Sequence, residues 1–232
     1  MKIDVLVDAA AVARRAAEEI AVQARAAVAA RGQFTLATSG GTTPWVMLRE
    51  LATLDVPWSH VHLFQVDERV APRGHADRNL TKLTESLIAR VAIPAANVHA
   101  MPVEEPDLGA AAARYAAELS AVAGAPPVLD LVHLGLGPDG HTASLVPGDA
   151  ALDVSDADVA ATGEYQGRRR LTLTYPMLYR ARCVLWIVTG AEKSAMLARL
   201  QSADGRIPAG RVRSDRALIV ADVAAATPPA SA

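Results

Sequence analysis

The chain has 232 residues, 23 Lys+Arg against 25 Asp+Glu, a net charge of -2, and 51% hydrophobic against 21% charged residues. That balance excludes general disorder and leaves no cationic excess for nucleic acid or an anionic membrane. At about 150 residues per domain, the length suits one α/β domain over residues 1–232 that buries roughly three-quarters of its unfolded surface.

Residues 8–31 are rich in Ala, Arg and Glu and predict a long helix, with Asp8 as N-cap and Gly32 as its stop. A strand over 34–38 runs into Ser39-Gly40-Gly41-Thr42-Thr43-Pro44, where Thr43 and Pro44 read as the N-cap and first residue of a helix over 44–51. A strand over 61–66 ends at Asp67-Glu68-Arg69, and a polar loop over 70–78 leads to a helix over 79–90. A short strand over 98–101 and an Ala-rich helix over 110–123 come next, then an apolar strand over 129–134 before Gly135-Leu136-Gly137-Pro138-Asp139-Gly140-His141. Strands over 171–174 and 183–189 flank a turn or short helix that starts near Pro176. A helix over 191–200, a strand over 218–221 and a frayed tail over 227–232 complete the chain.

This alternation predicts a Rossmann-like α/β fold, a mostly parallel sheet with helices on both faces. Ligands of such sheets gather beyond the carboxyl ends of the strands. The loops 39–44, 67–79, 135–148 and 190–193 all follow strands, so four loops on one rim can enclose a single site. Cys183 is the only cysteine, which rules out an intrachain disulfide and a Cys-pair zinc site, and its apolar neighbours predict a buried strand thiol. Asp4 and Asp8 interrupt any N-terminal apolar region, and no stretch approaches about 18 uncharged apolar residues. A soluble, cytoplasmic protein is expected.

Ser39, Thr42 and Thr43 offer hydroxyls, and Gly40 and Gly41 let backbone approach closely, at a helix start whose dipole favours an anion. Either this is a phosphate loop or it is an ordinary capped turn. The Lys-Ser/Thr ending of a nucleotide P-loop is missing. Gly135-x-Gly137-x-x-Gly140 matches a dinucleotide fingerprint only formally, because Pro147-Gly148 leaves no room for the long helix that should open there. Asp139-Gly140-His141 holds two titratable groups on a tight loop, and an imidazole can take and return a proton in one cycle. His60, His62 and His133 read as structural or surface residues, His99 lacks polar companions in sequence, and His75 belongs on the rim. Asp67 is placed to accept a proton and Arg69 to hold an anion, unless the two form a plain salt-bridged strand end. Arg182 and Lys193 flank one strand, and an anionic ligand would account for a lysine in the first turn of a helix. Arg168, Arg169 and Arg170 form a basic edge before a strand.

The runs SGGTTP at 39–44, DERVAPRGHADRN at 67–79, GLGPDGHTASLVPG at 135–148, RLTLTYPML at 170–178 and TGAEKSAML at 189–197 stand in order. Through them residues 36–213 resemble the 6-phosphogluconolactonases, within the sugar-phosphate isomerase and deaminase group. The resemblance implies hydrolysis of 6-phospho-D-glucono-1,5-lactone to 6-phospho-D-gluconate in the oxidative pentose phosphate pathway, with no metal and no cofactor. It implies His141 as general base, Asp139 as its orienting partner, and Arg69 or loop N–H groups as oxyanion donors. It also implies phosphate on Ser39, Gly40, Gly41, Thr42 and Thr43, with Arg182 and Lys193 as cationic partners and Arg170 as a further substrate contact. The partner is a small sugar phosphate, and the protein would be a monomer or small homo-oligomer.

Arg78 stands where the family often has Ser, Val146 where it often has Phe, and the C-terminal strand is only loosely similar. Two rivals share the fold. An amino-sugar-phosphate deaminase typically continues His-Ile-Ala-Phe-Asn-Glu-Pro, whereas here the run is His141-Thr142-Ala143-Ser144-Leu145-Val146-Pro147. A sugar-phosphate-sensing module of a repressor would need a DNA-binding segment ahead of the fold.

Overall fold

In a computed structural model, which describes residues 1–212 and 215–227, two sheets are present. Strands β1 (Lys2–Leu6), β2 (Phe34–Thr38), β3 (Val61–Gln65), β5 (Val98–His99), β6 (Leu131–Gly135), β9 (Cys183–Val188) and β10 (Ala217–Asp222) form a seven-stranded sheet. Its order is β1-β10-β9-β6-β2-β3-β5, with every pairing parallel. A small antiparallel sheet joins β4 (Asp67–Arg69), β8 (Arg170–Leu173) and β7 (Val159–Ala161) in the order β4-β8-β7.

Helices α1 (Ala9–Arg31), α2 (Thr42–Leu51), α3 (Asn79–Ser86), α4 (Leu108–Ala123), α5 (Tyr175–Arg180), α6 (Ser194–Gln201) and α7 (Val223–Ala226) accompany the strands. Side chains alternate across the sheet, so each strand feeds two cores. Val184, Trp186 and Val188 of β9 pack in the cluster with Leu108, Tyr115 and Leu119 of α4. Leu185 and Ile187 face the opposite cluster, with Ala13, Ala17, Ile20 and Ala24 of α1 and Leu48 of α2. Helices therefore cover both faces, and strands buried on both sides need the continuous apolar runs that the sequence shows. Small alanines on α1 let it lie close against the sheet, which is how a chain with 4% aromatic residues fills its core.

The strand order sets the site. From β2 the chain steps outward through β3 and β5, and from β6 it steps the other way through β9 and β10. The neighbours β2 and β6 are thus the switch point, where diverging loops leave a crevice at the carboxyl ends.

Asp8 caps α1 by accepting from the Ala11 N–H at 2.8 Å, and Gly32 ends it with φ 78°, both as expected. Several boundaries differ. Gly41, at φ 139°, is the N-cap of α2 in place of Thr43, because a left-handed backbone turns the loop into the helix two residues earlier. The Thr43 hydroxyl instead pairs with that of Thr189 at 2.8 Å. Helix α3 stops at Ser86 and continues as one 3₁₀ turn, Ile88–Arg90, while a 3₁₀ turn, Ala191–Lys193, precedes α6. Strands β1, β4 and β7 were not expected: β1 is a half-exposed edge strand, and β4 and β7 have three residues each. The Cys183 thiol is half-buried at the start of β9, and burial pushes its pKa up to about 11. Among the described residues no helix is long and apolar enough to cross a membrane. Of the tail read as frayed, residues 228–232 lie outside the described residues.

Candidate active site

All four loops contribute to one cavity of about 230 Å³ over the switch point. Ser39, Gly40 and Gly41 line it from the β2–α2 loop, Asp67, Arg69 and Asn79 from β4 and the start of α3, Gly135–Ala143 residues from beyond β6, and Lys193 from before α6. Arg170 enters from β8, a fifth element. An adjoining hollow of about 300 Å³ shares Gly40, Gly41 and Lys193 and is lined by Thr42 and Thr43.

His141 is held from one side. Its Nδ1 lies 2.6 Å from Asp139 Oδ1, and its backbone N–H donates to the same oxygen at 3.1 Å. Burial opposes ionisation of Asp139, yet the hydrogen bonds and charge of His141 outweigh it, so the carboxyl pKa falls below its ordinary value. An ionised carboxylate only accepts, which puts the imidazole proton on Nδ1 and leaves the Nε2 lone pair free. Gly137 makes room for this arrangement, since a Cβ there would stand 2.1 Å from His141 Nδ1. The middle glycine of the false dinucleotide fingerprint thus serves the imidazole.

Period-two alternation along β4 sends Asp67 and Arg69 to the cavity and Glu68 inward. Asp67 accepts from the Ser144 hydroxyl at 2.6 Å and from Asn79 Nδ2 at 3.3 Å. Burial raises its pKa against the opposing pull of Ser144, Arg69 and Arg170. Arg69 donates from one terminal nitrogen to the Asp77 carbonyl at 3.0 Å and to Asn79 Oδ1 at 3.1 Å. Asn79 in turn needs Gly40, because a Cβ at residue 40 would come 2.3 Å from its Oδ1.

Arg170 is cross-strand partner to Arg69 in the antiparallel pairing. Like charges directly opposite are destabilising, and an anion between them would remove the conflict. Burial, with the charge of Arg69, lowers the Arg170 pKa, and its Nε is buried with no partner. The Ser39 hydroxyl is a second buried polar atom without a partner, and it too lines the cavity. Lys193 stands at the N-cap position of α6, and no carboxylate pairs with its ammonium among the described residues. Three cationic side chains therefore face one carboxylate, Asp67. Among the described residues no group of three His, Cys, Asp or Glu side chains is placed to hold a metal ion.

A family model described as glucosamine-6-phosphate isomerases/6-phosphogluconolactonase matches residues 7–220. The chain belongs to this family. The 6-phosphogluconolactonase of Synechocystis is 39% identical over 203 residues, covering 86% of this chain and 84% of its own. That of Nostoc is 37% identical over 202 residues, covering 85% and 84%. The crystal structure of 6-phosphogluconolactonase from Thermotoga maritima superposes with a TM-score of 0.85 at 29% identity, over 95% of this chain and 98% of the other.

Within this family member, two residues expected at the site are elsewhere. Arg182 precedes β9 while Lys193 follows it, and six strand residues at about 3.3 Å each put roughly 20 Å between the two ends. At the amino end of the sheet Arg182 lies 3.4 Å from Asp130, which also pairs with Arg31 at 2.7 Å. His75 is absent from the cavity lining, because its Nδ1 accepts the Asp77 N–H at 3.1 Å. His99, which lacks polar neighbours in sequence, has two in space, Glu118 at 2.6 Å and His62 at 3.1 Å, brought together by the β3–β5 pairing and α4.

Asn79 and Ser144 are site groups that sequence reading passed over, and so is His133. Fully buried on β6, His133 accepts the Ser39 N–H on Nδ1 at 3.3 Å and so tethers the phosphate-loop candidate to the sheet. Burial lowers its pKa from 6.5 to about 3. Between those values the unfolded chain binds the proton and the folded protein does not, so stability is full above pH 6.5 and falls as pH drops towards about 3. Urea unfolding at a series of pH values should show this decline, with a shallower slope in His133→Gln; equal slopes would remove His133 as a cause.

Proposed function

We propose that the protein hydrolyses 6-phospho-D-glucono-1,5-lactone to 6-phospho-D-gluconate. The observation that carries this reading is the Asp139-oriented imidazole, its Nε2 free, in the same cavity as Arg69, Arg170, Lys193 and the Ser39–Gly41 turn. A base at one end and an excess of cations match a ligand that carries both a reactive carbonyl and a phosphate.

In this scheme His141 Nε2 takes a proton from water as the water oxygen bonds to C1 of the lactone. The carbonyl electrons move onto oxygen, and a guanidinium N–H of Arg69 not engaged by Asp77 and Asn79 stabilises the oxyanion. On collapse the bond from C1 to the ring oxygen breaks, and the imidazolium returns its proton to that oxygen, which becomes the 5-hydroxyl. The new carboxylic acid loses its proton to solvent. Asp139 holds the tautomer throughout. Phosphate would lie at the N-terminus of α2, on the N–H groups and hydroxyls of residues 39–43, with Lys193 opposite. Arg170 supplements the positive field, and Arg182 has no part. We further propose that this occurs in the cytoplasm, within one domain, as a step of the pentose phosphate pathway.

Initial rates on the lactone, corrected for its spontaneous opening, test the activity directly. Ammonia release from glucosamine 6-phosphate with no acceleration of lactone opening would establish the deaminase instead. Lys193→Ala and Thr42→Ala should raise KM about tenfold each while kcat stays within about threefold, as expected when uniform binding is lost. Unchanged saturation curves would displace the phosphate from the α2 end.

A further inference from the structure

The hairpin between β7 and β8 reaches back over the catalytic pair. Tyr165 and Arg168 exchange backbone hydrogen bonds at 3.0 and 3.3 Å across a two-residue turn. Gln166 and Gly167 at its tip have φ of 52° and 75°, the twist that suits tight hairpins. Two arginines fix the hairpin. Arg168 pairs with Asp77 at 2.8 Å, and Arg170 donates to the Tyr165 carbonyl at 3.2 Å while its guanidinium lies 5.0 Å from the phenol ring centre.

The side chain so held meets both members of the catalytic pair. The Tyr165 hydroxyl donates to Asp139 Oδ2 at 3.3 Å, the carboxylate oxygen that His141 does not use. The phenol ring stands edge-on to the imidazole, with centroids 5.6 Å apart at 67°. Resting on the functional reading above, we propose that Tyr165 is a positioning residue for the Asp139–His141 pair. Its hydroxyl fixes the carboxylate that selects the Nδ1–H tautomer, and its ring limits rotation of the imidazole.

The alternative is that Tyr165 only covers Arg170, a task its ring performs without the hydroxyl. Tyr165→Phe separates the two. Because the residue is part-exposed in a hairpin, the variant should melt with the wild type. Loss of this one long hydrogen bond, at 3.3 Å and with the net strength of an ordinary protein hydrogen bond, should lower kcat about 3- to 10-fold with KM unchanged. In the free protein, ¹⁵N shifts of the His141 ring should show the Nε2–H tautomer growing at the expense of Nδ1–H. A phenylalanine variant with wild-type kcat and an unchanged tautomer ratio would overturn the proposal, as would a loss confined to KM. The tautomer measurement needs no substrate, so it judges Tyr165 even if the lactone proves not to be the substrate, an outcome that wild-type rates reveal separately.

Discussion

Replacing His141 by alanine is expected to lower kcat on the lactone by about 10²- to 10⁴-fold, the range for loss of a positioned general base. KM should change little, because the proposed phosphate contacts lie on other loops. The expectation rests on geometry. Of the two ring nitrogens only Nδ1 is committed, to Asp139 at 2.6 Å, and Nε2 has no protein partner among the described contacts. Stopped assays corrected for spontaneous opening measure it, and a wild-type rate in His141→Ala would remove this residue from the chemistry.

The Asp139–Gly140–His141 loop was legible in sequence because its function is local: the acceptor, the base and the glycine that lets them approach lie within five residues. The parallel sheet was legible for a related reason, since strands buried on both faces are continuously apolar and recur between helices. What escaped depends on long-range pairing. Nothing near Arg170 indicates that β8 pairs with β4 in a register that sets it opposite Arg69. Arg182 was implied by the resemblance alone, and the strand β9 between it and Lys193 holds the two apart. Asn79 and Ser144 lie in two of the loops expected around the site, and Tyr165 lies outside all four, but only the folded rim turns these side chains towards Asp67 and Asp139.

Glu68 is the clearest case of a residue whose role only the fold reveals. It is fully buried, and its carboxylate accepts from the N–H groups of Asn79 and Leu80 at 2.8 Å each, so it caps α3 from a neighbouring strand. It also accepts from Gln65 Nε2 and the Arg69 N–H at 2.8 Å, and lies 3.1 Å from Arg78, itself 3% exposed. Arg78, the departure from the family's frequent Ser, thereby acquires a structural role: it neutralises Glu68 and reaches Glu104 at 3.1 Å. Glu68→Ala should cost about 3–5 kcal/mol, because it strands a buried guanidinium beside the half-exposed Glu104 alone and strips the start of α3. The double variant Glu68→Leu with Arg78→Met should recover part of that loss, since apolar packing tolerates removal of both charges better than removal of one. Urea midpoints of the three proteins measure the difference. A single variant within about 1 kcal/mol of wild type would mean that water already reaches this carboxylate. Because the same residue fixes the backbone of Arg69 and Asn79, any recovery of stability in the double variant should leave activity lower than in the wild type.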